Sequence, residues 1–257
     1  MADARAVVSC HVERPLDDRV WQAFSVLQAR RPGGFEIAAL VRPPDTDSGE
    51  SESLWLARAR ILAARGPFGL HTHWGGPTQA RPTGGDPAAL VRDQVAWLDE
   101  RGLRPRLFAG GGWYMDAGVA ASLAGLGLAD CTATAFRPSY LPAGAPRLTL
   151  AEPARLRLGG SVESDNDSHG SESDSDSQSH LLELPATHSL GMAARAAFGR
   201  LPAYVHVYFH DTDLLDATHR GALVWALRVI GRRRHPARLD RLQVEREVDF
   251  SAAASAP

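Results

Sequence analysis

The amino-acid sequence predicts an α/β protein built around a parallel sheet. Short apolar runs alternate with helical patterns along most of the chain, which is the order that repeated strand–helix units produce. Several apolar runs end in polar residues, as strands do when they finish at the mouth of a barrel. The length of 257 residues, of which 44% are hydrophobic, suits one barrel or two small domains. The alternation leaves the sheet either closed into a barrel or open and doubly wound.

The first half of the chain begins with a short apolar strand over 6–11. A helix over 17–30 follows, because Val20, Phe24 and Leu27 recur at helical spacing. Asp17 and Asp18 precede this helix and are expected to cap it. The same criteria predict the next three elements, which are a strand over 35–41, a helix over 53–65 and a strand over 67–73.

The helix over 87–101 has the clearest boundaries in the sequence. Asp86 is a suitable N-cap, Pro87 fits the first helical position and Gly102 ends the helix. The alternation continues with strands over 106–109, 130–134 and 203–210 and with helices over 116–126 and 213–231. No GxGxxG motif follows the first strand, so the dinucleotide-binding version of such a sheet is weakly supported.

A polar segment over 159–180 differs in composition from the rest of the chain. It contains six acidic residues, many Ser and no Arg, and such a composition cannot bury a core. We expect a disordered insertion that interrupts a hairpin of 156–158 with 181–184. The prediction is one barrel domain over 1–250 that carries this insertion, followed by a flexible tail over 251–257. The alternative is a cation-binding or partner-binding loop, which would make the chain an interaction protein.

Composition restricts the classes of function. A formal net charge of -2 gives no electrostatic basis for binding nucleic acid. No apolar run approaches the ~20 residues of a membrane span, and the N-terminus lacks the apolar region of a signal peptide, so the expected location is the cytoplasm. Cys10 and Cys131 lie in apolar runs and are expected to be buried thiols. The expected partner is a small molecule or carbohydrate, and the oligomeric state is left open.

The most informative motif is His71-Thr-His73 at the end of a predicted strand. Residues at i and i+2 of a strand point to the same face, and strand ends meet at the mouth of a barrel. Two neutral imidazoles there supply part of a site for Zn²⁺ or a similar ion. The alternative is a histidine pair that serves hydrogen bonds. A second pair of this spacing, His11 and Glu13, ends the first strand. Glu13 can supply the anionic ligand or pair with Arg14, and His11 can be a ligand or a base.

The predicted strand over 203–210 ends in His210-Asp211. A His at a barrel mouth beside a carboxylate fits a general acid that protonates a leaving amine. The alternative is that Asp211 caps the next helix and His210 only packs. Glu183 and His188 flank another strand end, where either can orient His210 or contact substrate. Other candidates for contact with a sugar ring are the aromatic residues near strand ends, Trp74, Trp113 and Tyr114.

Four segments carry a resemblance to a known family: Val8-Ser-Cys-His-Val-Glu13, Gly69-Leu-His-Thr-His-Trp74, Phe108-Ala-Gly-Gly-Gly-Trp113 and Val207-Tyr-Phe-His210. Together they resemble the motifs of the polysaccharide deacetylases (the NodB-homology superfamily, carbohydrate esterase family four), of which the chain looks like a divergent member. The resemblance implies a distorted (β/α)7 barrel of the glycoside hydrolase/deacetylase type, one divalent metal, and hydrolysis of an N-acetyl group on an amino sugar. His11 stands where the family has its catalytic-base Asp.

These observations predict a metal-dependent hydrolase that removes an acyl group from an amino sugar or related small molecule. Glu13, His71 and His73 are expected to hold the metal, which is expected to be Zn²⁺. In the expected chemistry His11 accepts the proton of water, His210 donates a proton to the leaving amine, and Glu183 or Asp211 orients His210. Substrate contacts are expected from Trp74, Trp113, Tyr114 and His188. The alternative, prompted by His11, is a catalytically impaired barrel that binds carbohydrate or metal without turnover.

Overall fold

The computed structural model describes residues 4–142, 144–159 and 179–254. The strands within these ranges are β1 (Arg5–Val12), β2 (Ala38–Val41), β3 (Phe68–Thr72), β4 (Leu107–Gly110), β5 (Ala129–Asp130), β6 (Ala154–Arg157), β7 (His180–Glu183), β8 (His188–Ser189), β9 (Tyr204–His210), β10 (His235–Pro236) and β11 (Glu247–Asp249). The helices are α1 (Asp18–Arg30), α2 (Glu52–Arg65), α3 (Pro87–Glu100), α4 (Ala117–Gly125), α5 (Leu190–Ala196), α6 (Ala217–Arg233) and α7 (Phe250–Ala253).

The parallel strands close into a barrel. β1 pairs with β2 on one side and with β9 on the other, and the sheet continues from β2 through β3 and β4 to β5. The chain over 180–189 closes the remaining gap, because β7 pairs with β5 while β8 pairs with β9. The Leu184 amide donates to the Asp130 carbonyl, and the Thr187 amide donates to the His206 carbonyl. The structure therefore confirms the (β/α)7 barrel.

Side-chain alternation along the strands separates an inner core from an outer core. Val7, Leu40 and Leu107 pack together inside the barrel. Val8 and Phe108, one position along their strands, instead pack in the larger cluster beneath the helices. A third, smaller cluster of Trp113, Leu141, Ala186 and Tyr208 is separate from both. Because of this alternation, every second side chain of a strand points towards the barrel axis, where the candidate site lies.

Helix boundaries follow side-chain caps. The Asp17 carboxylate accepts from the amides of Arg19 and Val20, and Asp86 accepts from the Ala89 amide, as the sequence predicts. Asp18 instead pairs with Arg58 of α2. Helix α6 begins at Ala217 rather than at 213, because a 3-10 helix over Asp211–Leu215 follows β9 first. Among the described helices, none is both long and apolar enough to cross a membrane.

The polar insertion and the C-terminal end differ from expectation in their boundaries. β6 and β7 form the predicted antiparallel hairpin, and His180 already belongs to β7. Of the insertion predicted to be disordered over 159–180, residues 160–178 lie outside the described residues. Within the predicted tail over 251–257, residues 251–253 belong to α7, where Ala253 is buried and its carbonyl accepts from the Thr149 amide. Cys10 and Cys131 are free and buried, as expected.

Candidate metal centre

Four polar side chains meet at the carboxyl ends of β1, β3 and β9. His71 lies within β3, and His210 is the last residue of β9. Glu13 and His73 lie just beyond the ends of β1 and β3. Each continues the inward-facing alternation of its strand, so all four side chains converge at the mouth of the barrel.

The geometry centres on one carboxylate oxygen. Glu13 Oε1 lies 3.5 Å from His73 Nε2, 3.6 Å from His210 Nε2 and 3.8 Å from His71 Nε2. One donor atom each from Glu13, His71 and His73 lies within 4.8 Å of the others, the spacing expected of groups that can share one metal ion. The two predicted histidines and the predicted carboxylate thus come together as the sequence indicates.

The tautomers of His71 and His73 are set by the main chain. His71 Nδ1 lies 2.9 Å from the Ala109 carbonyl oxygen, and His73 Nδ1 lies 2.8 Å from that of Pro77. A carbonyl oxygen only accepts, so each Nδ1 carries the hydrogen and each Nε2 presents a lone pair. Both Nε2 atoms are buried without a hydrogen-bond partner among the described residues. Two bare imidazole nitrogens and a carboxylate are the donor set of a catalytic Zn²⁺ site with an open position.

Electrostatics keep these donors in the forms that bind metal. Burial alone raises the pKa of Glu13, but attraction to the His71 and His73 rings when these are protonated outweighs burial and holds that pKa well below its ordinary value. Burial lowers the pKa of His71, and the attraction of Glu13 offsets this only in part. At neutral pH the site therefore holds an ionised carboxylate and a neutral His71 ring.

His11 lies inward of the four, on the same face of β1 as Glu13. Its ring stacks on His71 with centroids 4.5 Å apart and lies 5.4 Å from the His210 ring. Burial first, and then the neighbouring His71 and His210, lower the pKa of His11 well below its ordinary value. The ring is therefore neutral at pH 7, able to accept a proton but a weak base.

Asp213, not Asp211, is the carboxylate beside His210. Asp213 Oδ2 accepts from the His210 amide at 2.9 Å and lies 3.9 Å from His210 Nδ1. Asp211 is fully buried and turns the other way, where its Oδ2 accepts from the Arg14 amide. The prediction that Asp211 orients His210 is corrected because the 3-10 helix after β9 brings residue i+3 back to the strand end. An acidic residue three positions after a strand-ending His is the signal that identifies Asp213 in the sequence.

Two cavities flank the centre. One of about 560 Å³ lies on the Glu13 and His73 side and is also lined by Arg42 and Thr78. The other, of about 300 Å³, lies on the His210 side and is lined by Tyr208 and Asp213, among others. A ligand in the first cavity would contact Glu13, and a ligand in the second would contact His210.

Solved structures of other proteins share this architecture. A Mycobacterium smegmatis protein proposed to be a polysaccharide deacetylase superposes with a TM-score of 0.54 at 12% identity, over 95% of this chain and 97% of that one. A mutant of BA3943, a CE4 family pseudoenzyme with restored enzymatic activity, gives 0.50 at 7% identity, over 98% and 68%. The chain folds as a deacetylase-type barrel.

The remaining comparisons give one partial structural match and no match in sequence. The 4-alpha-glucanotransferase of Thermococcus litoralis gives a TM-score of 0.48 at 10% identity, and the present chain spans 38% of its length. No family model and no curated protein matches the sequence. The likeness is therefore one of fold, and the chemistry of this deacetylase-type barrel has to be argued from its own residues.

Glu183 does not reach the mouth of the deacetylase-type barrel. It lies between Leu182 and Leu184, which pack on the inner core, so its side chain points outward. There its Oε1 accepts from the Ala133 amide, and its carboxyl group lies against that of Asp130. The prediction that Glu183 orients His210 is corrected, because strand alternation directs it to the opposite face.

Trp113 contributes to an aromatic wall at the mouth. Its ring lies 4.8 Å from Tyr208, 5.7 Å from His11 and 6.2 Å from Phe136. Its φ of 58° is rare for a large side chain and marks a backbone that is held in place by its surroundings. Tyr208 and Phe136, whose rings stack 6.0 Å apart, also belong to this wall and are not among the predicted site residues. Tyr208 is two residues before His210 on β9, so the alternation of that strand would have found it.

The other predicted substrate contacts lie elsewhere. Trp74 is buried in the outer core, where its Nε1 donates to the Gly111 carbonyl and its ring contacts Tyr114. Tyr114 packs against the same core and donates to Asp116. His188 pairs in register with Val207, an outer-core residue, and its Nδ1 contacts the Thr187 hydroxyl. The predictions that Trp74, Tyr114 and His188 contact substrate are corrected, because the contacts of each side chain lie away from the inward-facing cluster.

Proposed function

We propose that the chain is a metal-dependent hydrolase that removes an acyl group from an acylated amino sugar or a related small molecule. The observation that carries this proposal is the pair of buried Nε2 atoms of His71 and His73, which face Glu13 and have no hydrogen-bond partner in the part of the chain that the structure describes. Leaving such atoms bare costs free energy unless a ligand uses them. A bound Zn²⁺ would supply Lewis acidity for a carbonyl group and for a water molecule.

The surrounding side chains have distinct proposed roles. His210 Nε2 faces the carboxylate of Glu13, and in its protonated form it would give its proton to the leaving amine. Asp213 contacts the other ring nitrogen of His210 and would keep the imidazole oriented. His11 is the proposed acceptor for the proton of the attacking water. The wall of Trp113, Tyr208 and Phe136 would bind the apolar face of a sugar ring.

The proposal is tested by measuring metal content and turnover together. Wild-type protein should bind one Zn²⁺ and release acetate from an N-acetylglucosamine oligomer. His71→Ala should lose the metal and the activity, because one of three proposed ligands is gone. His210→Gln should keep the metal and lower turnover by about 10²–10⁴-fold. His235→Gln, at an exposed histidine beside the start of β1, is the matched control. Zinc content that is unchanged in His71→Ala would refute the site.

A second candidate function is a barrel that binds carbohydrate or metal without turnover. The buried His11, whose pKa is depressed, favours it, since a weak base accepts the proton of water poorly. The variant His11→Asp distinguishes the two functions in the presence of Zn²⁺. If the wild-type protein hydrolyses the substrate slowly and the His11→Asp variant is slower still, the result supports His11 as the base. If the wild-type protein shows no hydrolysis and the variant does, the result supports the impaired barrel.

A further inference from the structure

The peptide group that follows Glu13 is held from two sides. Its carbonyl oxygen, that of Glu13, accepts from Arg42 Nε at 3.0 Å. Its N–H, that of Arg14, donates to Asp211 Oδ2 at 2.9 Å. Arg42 follows β2 and Asp211 follows β9, the two strands that flank β1. One peptide unit is thus fixed by charged side chains from both neighbouring strands.

Arg42 is itself firmly placed. Its guanidinium is buried and also donates to the Pro43 carbonyl at 2.7 Å and to Glu50 Oε1 at 2.6 Å. Its main chain donates to the Val12 carbonyl, and its own carbonyl accepts from Trp55 Nε1 at 2.7 Å. A planar guanidinium with several fixed partners holds its remaining N–H in one direction. The Glu13 carbonyl oxygen therefore accepts from a donor, Arg42 Nε, whose direction is fixed.

Asp211 is the other half of the arrangement. Its side chain is fully buried, and its second oxygen, Oδ1, has no hydrogen-bond partner among the described residues. Burying a carboxylate with one oxygen unsatisfied is costly, and the bond to the Arg14 amide recovers only part of that cost. A group retained at such a cost, directly beside the backbone of a proposed metal ligand, points to a role in placing that ligand.

We infer that Arg42 and Asp211 are positioning residues that clamp the Glu13–Arg14 peptide and so aim the Glu13 carboxylate at the metal. The inference rests on the proposed function, because it assumes that Glu13 is a ligand. His71 and His73 are oriented by main-chain carbonyls, whereas Glu13 lies just beyond the end of β1 and has a half-buried side chain. Clamping the adjacent peptide limits the directions that this carboxylate can take and reduces the entropy lost when the ion binds.

The test is a set of zinc affinities measured by chelator competition. Arg42→Met and Asp211→Ala should each weaken Zn²⁺ binding about 10- to 100-fold, the effect typical of residues that orient a ligand. Asp211→Asn should stay within about threefold of wild type, because the amide oxygen still accepts from Arg14. Glu50→Gln, which disturbs the guanidinium of Arg42 but not its Nε contact, is the control and should change affinity less than Arg42→Met.

A double-mutant cycle separates positioning from general support. In a Glu13→Ala background, which keeps the imidazole donors, adding Arg42→Met or Asp211→Ala should change zinc affinity less than twofold. An equal loss in both backgrounds would overturn the inference, since the two residues would then act without Glu13. If Arg42→Met does not fold, Asp211→Ala and Asp211→Asn decide alone. Wild-type protein that binds no zinc would overturn the proposed function and the clamp together, whereas stoichiometric zinc with additive losses would overturn the clamp only.

Discussion

His206 shows how one interior residue links protonation to folding. It is fully buried inside the barrel, where its Nδ1 faces the carbonyls of Leu184 and Pro185 and its Nε2 lies 2.8 Å from the Ser9 hydroxyl. Nδ1 therefore carries the hydrogen, and Nε2 accepts from Ser9. Burial is the largest influence on the ring and lowers the pKa of His206 from 6.5 to about 4. The native protein holds this imidazole in the neutral form.

Stability should fall on acidification through the pH range that His206 defines. The unfolded chain takes up this proton near pH 6.5 and the folded protein only near pH 4, so lower pH favours the unfolded state. The contribution lost across the window is about 3 kcal/mol. Urea unfolding at pH 7 and pH 4.5 should show a smaller pH effect in His206→Gln than in wild type. Identical pH effects in the two proteins would contradict this assignment.

The predicted site residues that the structure brings together and those that it does not differ in one respect. Glu13, His71, His73 and His210 follow from strand alternation, which directs all of them into the mouth. Asp211 is next to His210 in the sequence and Glu183 lies near a strand end, but neither position brings the side chain to the His210 ring. The 3-10 helix after β9 turns Asp211 away from His210, and Glu183 occupies a position on β7 whose side chain points out of the barrel. Which of several acidic residues faces a histidine depends on loop geometry that a single sequence does not encode locally.

At the scale of elements, β5 and β7 meet through two buried carboxyl groups. Asp130 and Glu183 are register partners, and both side chains are fully buried. Burial, and then the neighbouring Asp130, raise the pKa of Glu183 well above its ordinary value. Burial also raises the pKa of Asp130. The strand pair therefore retains a proton that the unfolded chain would release.

This carboxyl pair should make the barrel less stable as pH rises. Acids with raised folded pKa values favour the native state at low pH, and that advantage disappears as pH passes through the folded values. Glu183→Gln keeps a hydrogen-bond donor but cannot ionise, so its free energy of unfolding should fall less between pH 5 and pH 8 than that of wild type. Glu100→Gln, with a side chain that is 74% exposed, is the control. A wild-type slope that persists in Glu183→Gln would exclude the pair as the source.

Gly69 allows β3 to pack closely between its neighbours. A Cβ atom there would lie 2.4 Å from Leu40 Cδ2 and 2.5 Å from the Leu107 carbonyl oxygen. Because the second contact is with backbone, side-chain rearrangement cannot relieve it. Gly69→Ala should destabilise the protein by about 3 kcal/mol. Gly125→Ala in α4, where a Cβ meets nothing within 4 Å, should be close to neutral. Equal urea midpoints for the two variants would contradict the packing argument.

The order of elements was largely predictable, whereas their ends were not. The first four parallel strands and the helices between them follow from apolar periodicity and from caps such as Asp17 and Asp86. β5 is only Ala129–Asp130, although the apolar run continues to Thr134. Thr134 instead forms isolated bridges with Thr149 and Ala186, which are distant from it in sequence. Such long-range pairing decides strand ends and leaves little local signal.

For the molecule as a whole, metal binding should appear as added stability. A ligand that binds only the folded state stabilises it by about 2.7 kcal/mol at a concentration of 100 times Kd. For a chain of this size that corresponds to a rise in Tm of roughly 5 to 10 °C. Differential scanning fluorimetry with Zn²⁺ should show this rise for wild type and for His235→Ala, but not for His73→Ala. A rise of equal size in His73→Ala would place the ion elsewhere.

The main-chain carbonyls that anchor His71 and His73 also affect how the centre tolerates evolutionary change. A carbonyl is present whatever amino acid occupies a position, so substitutions at Ala109 or Pro77 that preserve the path of the chain leave both rings correctly turned. Descendants can therefore accumulate changes around the histidines without releasing them. Loss of the proposed site would need replacement of a coordinating side chain or rerouting of the loop after β3.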